Sequence, residues 1–163
     1  MVDYFVTPSI LNSFVQDERW GYEAYLKTLY PPEQPEFNFF TLNGHRIHEK
    51  YGYNNTLRFF KVICVNGYEV AIEGTPDKLN PLTEVKTTTK ISERKIQAAE
   101  IQLQAYMYLT GYDYGEVIFY DQQTEKVIYR CEYSYSRAKL EYWIMRFVDY
   151  VRRKERGLQL SLV

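Results

Sequence analysis

The sequence predicts an α/β fold, with a mixed central sheet of about five strands flanked by helices. Three features predict it. Helical and extended segments follow one another in the order α-α-β-β-β-α-β-β-α. Asn66-Gly67 lies between two strand-like runs, the two-residue signature of a hairpin. A long helical segment separates the third strand from the fourth, a crossover that is right-handed if those strands are parallel. With 163 residues the chain is long enough for one domain, 1–163, with its own core.

Thr7-Pro8 reads as an N-cap followed by proline in the first helical turn. A helix is predicted from there to about Leu29, with Ile10, Phe14, Tyr22, Tyr25 and Leu29 on one side. Pro31-Pro32-Glu33-Gln34-Pro35 ends it in a loop, and a shorter helix over 39–51 carries both histidines. Strands over 57–65 and 68–72 flank the hairpin turn. The chain then passes Gly74 and Asp77 and turns at Asn80-Pro81 into a third strand, 83–88, which is expected to complete a meander. Ser92 caps a helix to about Thr110, with Ile96, Ala99, Leu103, Met107 and Thr110 at helical spacing and Gly111 as its stop. Strands over 116–121 and 126–133 follow. A last helix begins near Ser136, buries Leu140, Trp143, Ile144, Phe147, Val148 and Val151, and closes near Gly157. Arg152, Arg153, Lys154 and Arg156 complement the negative end of its dipole and read as a solvated helix end.

A net charge of −1 excludes a polycation that coats nucleic acid indiscriminately, so any such surface is local. The 17 tyrosines serve core and surface, and tyrosine also stacks on nucleobases. Cys64 and Cys131 lie in strand-like runs without metal-ligand spacing and read as reduced, half-buried thiols. No apolar stretch has the length of a membrane span, and the start lacks the basic and apolar regions of a signal peptide. A soluble cytoplasmic protein without membrane contact is expected, in the host cytoplasm if the source is viral.

The chemistry concentrates at Glu84-Val85-Lys86. Residues two apart in a strand share a face, so Glu84 and Lys86 project together while Val85 faces the other way. Charged groups are rarely buried without partners, and Asp77 at the end of the preceding strand adds a second carboxylate. Two carboxylates with the Val85 carbonyl suit Mg²⁺ or Mn²⁺, leaving coordination positions open for water and a phosphodiester. Lys86 is placed to orient the attacking water or to stabilise developing charge. His48, on Gly44-His45-Arg46-Ile47-His48, is a further candidate ligand, with His45 sharing roughly its face. Thus His48, Asp77, Glu84 and Val85 are expected around one cation. Gln102 and Tyr106, four apart on one helix face at the edge of its packed surface, are placed to hold Lys86 and a phosphate. Lys90, Arg94 and Lys95 at the start of that helix are the candidate phosphate contacts, and Thr87-Thr88-Thr89 adds donors.

In order, these pieces resemble the RecB-type branch of the PD-(D/E)XK nuclease superfamily. That branch's pattern is G-x-x-x-H, G-x-x-D, E-x-K and Q-x-x-x-Y. It stands here as Gly44 to His48, Gly74-Thr75-Pro76-Asp77, Glu84-Val85-Lys86 and Gln102 to Tyr106, and the opening TPSILNSFVQDERWGYEAYL is similar to the branch's first helix. The resemblance spans roughly 7–135. It implies a restriction-endonuclease-like core, dependence on Mg²⁺ or Mn²⁺, and DNA, as single strands or duplex ends, as partner. By match, Asp77, Glu84 and His48 would be metal ligands and Lys86 the catalytic lysine, with Gln102 and Tyr106 accessory to site and DNA. CRISPR-associated and viral exonucleases of this branch often hold an iron–sulfur cluster on four cysteines. Asp17 stands where the first would fall, and two distant cysteines cannot supply four thiolates, so no iron–sulfur cluster is expected. Trp20 and Trp143 are expected to provide packing in its place.

The sequence thus points to a metal-dependent deoxyribonuclease, an exonuclease or single-strand nuclease. A catalytically silent DNA-binding or assembly protein on the same fold, and a junction or RNA endonuclease, stand beside it. It leaves polarity, preferred metal and oligomeric state open.

Overall fold

The structure, a computed structural model, describes residues 1–31, 33 and 39–161, without the side chains of 39–43 and 159–161. Pro32, Gln34 and Pro35 of the expected loop lie outside the described residues. The elements are β1 (Tyr4–Val6), α1 (Pro8–Gln16), α2 (Glu18–Leu29), α3 (Phe39–Lys50), β2 (Phe59–Val65), β3 (Tyr68–Gly74), β4 (Thr83–Thr88), α4 (Glu93–Thr110), β5 (Tyr114–Asp121), β6 (Val127–Ser134) and α5 (Arg137–Ser161).

The α/β character is as expected, but the described strands form two three-stranded sheets rather than one sheet of five. One has the order β1-β3-β2, with β1 parallel and β2 antiparallel to β3. The other has the order β4-β5-β6, with β4 parallel to β5 across α4, and β5 antiparallel to β6. The expected meander therefore stops after β3. The turn over 75–82 carries the chain away from β3 and occupies the edge of β4 itself. Lys78 O accepts from Thr83 N at 2.9 Å, and the Asp77 carboxylate accepts from Val85 N at 2.8 Å.

The opening helix is two helices. Thr7 caps α1 through Ile10 N, with Pro8 in the first turn as read from the sequence. Asp17 breaks the run: its backbone is extended, it closes α1 through Ser13 O, and its side chain caps α2 through Arg19 N. The break shifts the helical phase, so α2 buries Gly21 and Tyr25 while Leu29 is exposed. α1 and α2 cross so closely that a Cβ on Gly21 would lie 2.4 Å from Phe14 Cβ and 2.5 Å from its Cα.

α4 packs against α1, α5 and strands of both sheets. It buries Ala98, Ala99, Ile101, Leu103, Ala105, Met107 and Leu109, so it is enclosed almost all round rather than along one stripe. Gln104 is fully buried with both ends engaged: it donates to Ser134 O and accepts from Ser136 N, which ties the β6–α5 junction to α4. From α5, Leu140, Ile144, Phe147, Val148 and Val151 enter the main core, while Trp143 is half-buried. Around Phe14 the rings of Trp143, Phe147 and Tyr150 stand edge-on. Trp20, expected to share this packing, is exposed because it lies on the outer side of α2. α5 continues through Gly157 to Ser161, since an exposed helical glycine costs only about 1 kcal/mol and no breaker follows within the described turn. Cys64, expected half-buried, is exposed; Cys131 is half-buried, and both are free. Among the described residues, no helix is long and apolar enough to cross a membrane.

A methyl group at the α1–α2 crossing has nowhere to go without moving backbone. Gly21→Ala is expected to lower stability by on the order of 1–3 kcal/mol, read as a lower urea midpoint with unchanged slope.

Candidate functional site

β4 is an edge strand of its sheet, and its sequence divides cleanly between two faces. Val85 joins Ile47, Ile118 and Tyr120 in a small cluster beneath α3. Glu84 and Lys86 pair in register with Val117 and Phe119, whose side chains belong to the main core under α4. The peptide groups alternate too: even-numbered residues of β4 bond to β5, so the N–H and C=O of Val85 point to the free edge. Asp77 meets that N–H with Oδ2, which places its carboxylate beside Glu84.

His48 reaches the same edge from α3. Ile47 anchors the helix on Val85, Ile118 and Tyr120, while Arg46 and Lys50 both pair with Glu125 at the β5–β6 turn, Lys50 at 2.8 Å. His48 Nδ1 lies 3.5 Å from Asp77 Oδ1, and its ring meets Tyr53 edge-on. His45, one turn earlier, is exposed. Gly44, His45, His48, Val85, Lys86, Thr87 and Gln122 line a cavity of about 350 Å³.

Glu84 is 2% exposed, and its Oε2 has no hydrogen-bond partner. Its other oxygen lies 3.3 Å from Lys86 Nζ. Burial, and then the charge of Asp77, push the Glu84 carboxyl up to about 8 against the opposing pull of Lys86. Ionised carboxylates are acceptors only, so neither Asp77 nor Glu84 can satisfy the other.

Gln102 and Tyr106, expected at the boundary of the packed surface, are buried at 4% and 6% exposure. They stand behind Glu84. Burial first, and then the charges of Glu84 and Asp77, hold the Tyr106 phenol in its neutral form, and the Gln102 side chain lies beside its oxygen. Gln102 Oε1 is a second orphaned atom. Gly74 makes this arrangement possible, because a Cβ there would lie 2.8 Å from Pro8 Cδ and 3.0 Å from the Tyr106 ring. Of the expected phosphate contacts, Lys90 is exposed, Arg94 donates to Gln16 O, and Lys95 donates to Thr88 Oγ1 and Lys90 O.

Asp77, Glu84, Val85 and Lys86 are therefore brought together, with His48 against Asp77 and Tyr106 against Glu84. The expected cage is arranged instead as a chain, His48 to Asp77 to Glu84. Among the described residues, no three His, Cys, Asp or Glu side chains stand in a metal-holding group. The donor set still fits a hard divalent cation: two carboxylates, a carbonyl on the same edge, and a buried oxygen with no proton donor to satisfy it. Gln122 was not legible from the sequence. It sits in the β5–β6 turn with no motif around it, yet its buried Nε2 is unpartnered and lines the cavity, a donor suited to an anionic oxygen.

No family model matches the chain, and no curated protein matches it in sequence. Solved structures do. The crystal structure of SSO0001 is similar over 91% of this chain and 77% of its own, at 15% identity and a TM-score of 0.61. A phage related exonuclease from Haemophilus somnus 129PT is similar over 96% of this chain and 83% of its own, at 14% identity and a TM-score of 0.51.

The raised pKa of Glu84 carries a stability consequence for protein held in EDTA. A carboxyl raised on folding stabilises fully below its unfolded value and loses that contribution as pH rises through its folded value. The melting temperature is expected to fall between about pH 5 and about pH 8, and Glu84→Gln to flatten that slope. An unchanged slope in the variant contradicts the assignment. The chain therefore has a fold similar to that of the phage related exonuclease, and on its β4 edge the buried Glu84 carboxyl stands beside half-buried Asp77 and Lys86.

Proposed function

We propose that the protein is a metal-dependent nuclease that hydrolyses phosphodiester bonds in DNA, as an exonuclease or single-strand nuclease of the RecB-type PD-(D/E)XK kind. The observation that carries the reading is Glu84: a fully buried carboxylate with one orphaned oxygen, beside Asp77 and paired with Lys86, which itself lines a cavity. Asp77, Glu84 and the Val85 carbonyl would hold Mg²⁺ or Mn²⁺, with His48 as a further ligand. The ion, when bound, would supply Lewis acidity and a more acidic water.

The chain's own residues do the rest. Val85 N–H fixes one Asp77 oxygen, which leaves the other directed at His48. Lys86 is half-buried at the junction of Glu84 and the cavity, where its ammonium orients a water or offsets charge developing on the phosphorane. Tyr106 and Gln102 close the space behind Glu84 against bulk water, and the low dielectric strengthens each of these interactions. Gln122 Nε2 and the cations Lys90, Arg94 and Lys95 receive phosphate oxygens.

A second reading, a non-cleaving DNA-binding protein on the same fold, is favoured by one observation: the ligand side chains form a chain rather than a closed group. A junction or RNA endonuclease differs only in substrate. End-labelled single-stranded, duplex and branched DNA, with a matching RNA, separate these readings when incubated in Mg²⁺, Mn²⁺ or EDTA. The nuclease reading predicts products that EDTA abolishes and that fall by about 10²–10³-fold in Lys86→Ala and at least as far in Glu84→Ala. Intact DNA with retained binding supports the second reading, and equal degradation by wild type and variants refutes the site.

A further inference from the structure

A cleft of about 720 Å³ between α1, α2 and α5 plays no part in that chemistry, yet it is joined to it. The cavity at His48 shares Lys86 and Thr87 with a crevice of about 230 Å³ that runs past Asn12 and Lys95 to Gln16. Gln16 in turn lines the large cleft, together with Arg94, Tyr142, Trp143 and Arg146. Three hollows thus share lining residues in succession from Lys86 to Tyr142.

The chemistry along this track changes from charge to aromatic surface. Lys95 and Arg94 bond only to neutral oxygens, so among the described residues neither charge is neutralised by a carboxylate. Beyond them Tyr142 is 48% exposed, with its ring edge-on to Trp143 at 5.4 Å. The Arg146 guanidinium lies over both rings, 5.7 and 4.9 Å from their centroids. The two acids of the cleft are both engaged. Asp17 caps α2 and pairs with Arg19, and Glu18 bonds Arg146 at 2.6 Å, which locks the shelf in place. Cations that track a backbone, followed by ring faces that accept bases, are the combination that holds unpaired nucleic acid.

We propose that this track is the path of a single-stranded nucleic acid leading away from Lys86, with its phosphates along Lys95 and Arg94 and its bases stacked on the exposed Tyr142 ring. The inference rests on the reading that the Lys86 cavity takes a phosphodiester, and it narrows the substrate to an unpaired strand, because a duplex keeps its base faces stacked internally.

Binding in EDTA isolates the path from any cleavage. Fluorescence anisotropy would be measured with labelled oligothymidines of about four and about twelve nucleotides and a blunt duplex. The longer single strand is expected to bind more tightly than the shorter. Tyr142→Ala is expected to weaken the longer strand about five- to a hundredfold, and Tyr142→Phe to retain it. Arg94→Gln is expected to weaken the longer strand and to flatten its salt dependence. Wild-type affinity of Tyr142→Ala for the longer strand overturns the path, as does equally tight, Tyr142-dependent binding of the duplex. Tyr142-dependent binding without cleavage in Mn²⁺ would sink the hydrolytic reading alone. Cleavage with Tyr142-independent binding would sink the path alone.

Discussion

The burial of Glu84 is the constraint around which the neighbourhood of β4 is built. A carboxylate in the interior is costly unless it is neutralised, and here Lys86 satisfies only one oxygen while Asp77 opposes it. Everything else within reach helps to hold this unfavourable group in place. Val117 and Phe119 set the register of β4, and α4 covers it with Gln102 and Tyr106. Lys86 joins this buried acid to the cavity under His48.

Chain topology explains why Asp77 stands where it does. Had β4 continued the meander, its free edge would have paired with β3 and Val85 N–H would have been consumed by backbone. Instead β4 joins β5 across α4, and the turn over 75–82 supplies a side chain in place of a strand. One hydrogen bond thus replaces a ladder position with an acidic group, and the Val85 carbonyl is left on the same edge. The site depends on the chain leaving the first sheet.

Much of this was legible because the signals were local. Thr7-Pro8, Asn66-Gly67 and Ser92 each fix a boundary through one or two residues, and the structure places caps or turns at all three. The β4 boundaries were legible too, and the E-x-K spacing carried both charged side chains to one face. What the sequence hid was non-local. β1 is three residues long, too short for a period, and exists by pairing with β3. The break at Asp17 was masked because both halves of the helix are amphipathic. Gln102 and Tyr106 were expected at an edge because α4 reads as a single stripe; alanines at 98, 99 and 105 allow close approach on other sides. Gln122 carries no motif and gains meaning only from the cavity that its turn closes.

The central claim is that the orphaned oxygen of Glu84 awaits a divalent cation. Calorimetric titration of Mn²⁺ into protein freed of metal tests it most directly. The account predicts one saturable site per chain, lost in Glu84→Gln and weakened in His48→Ala. Absence of saturable binding, or binding unchanged in Glu84→Gln, would contradict it.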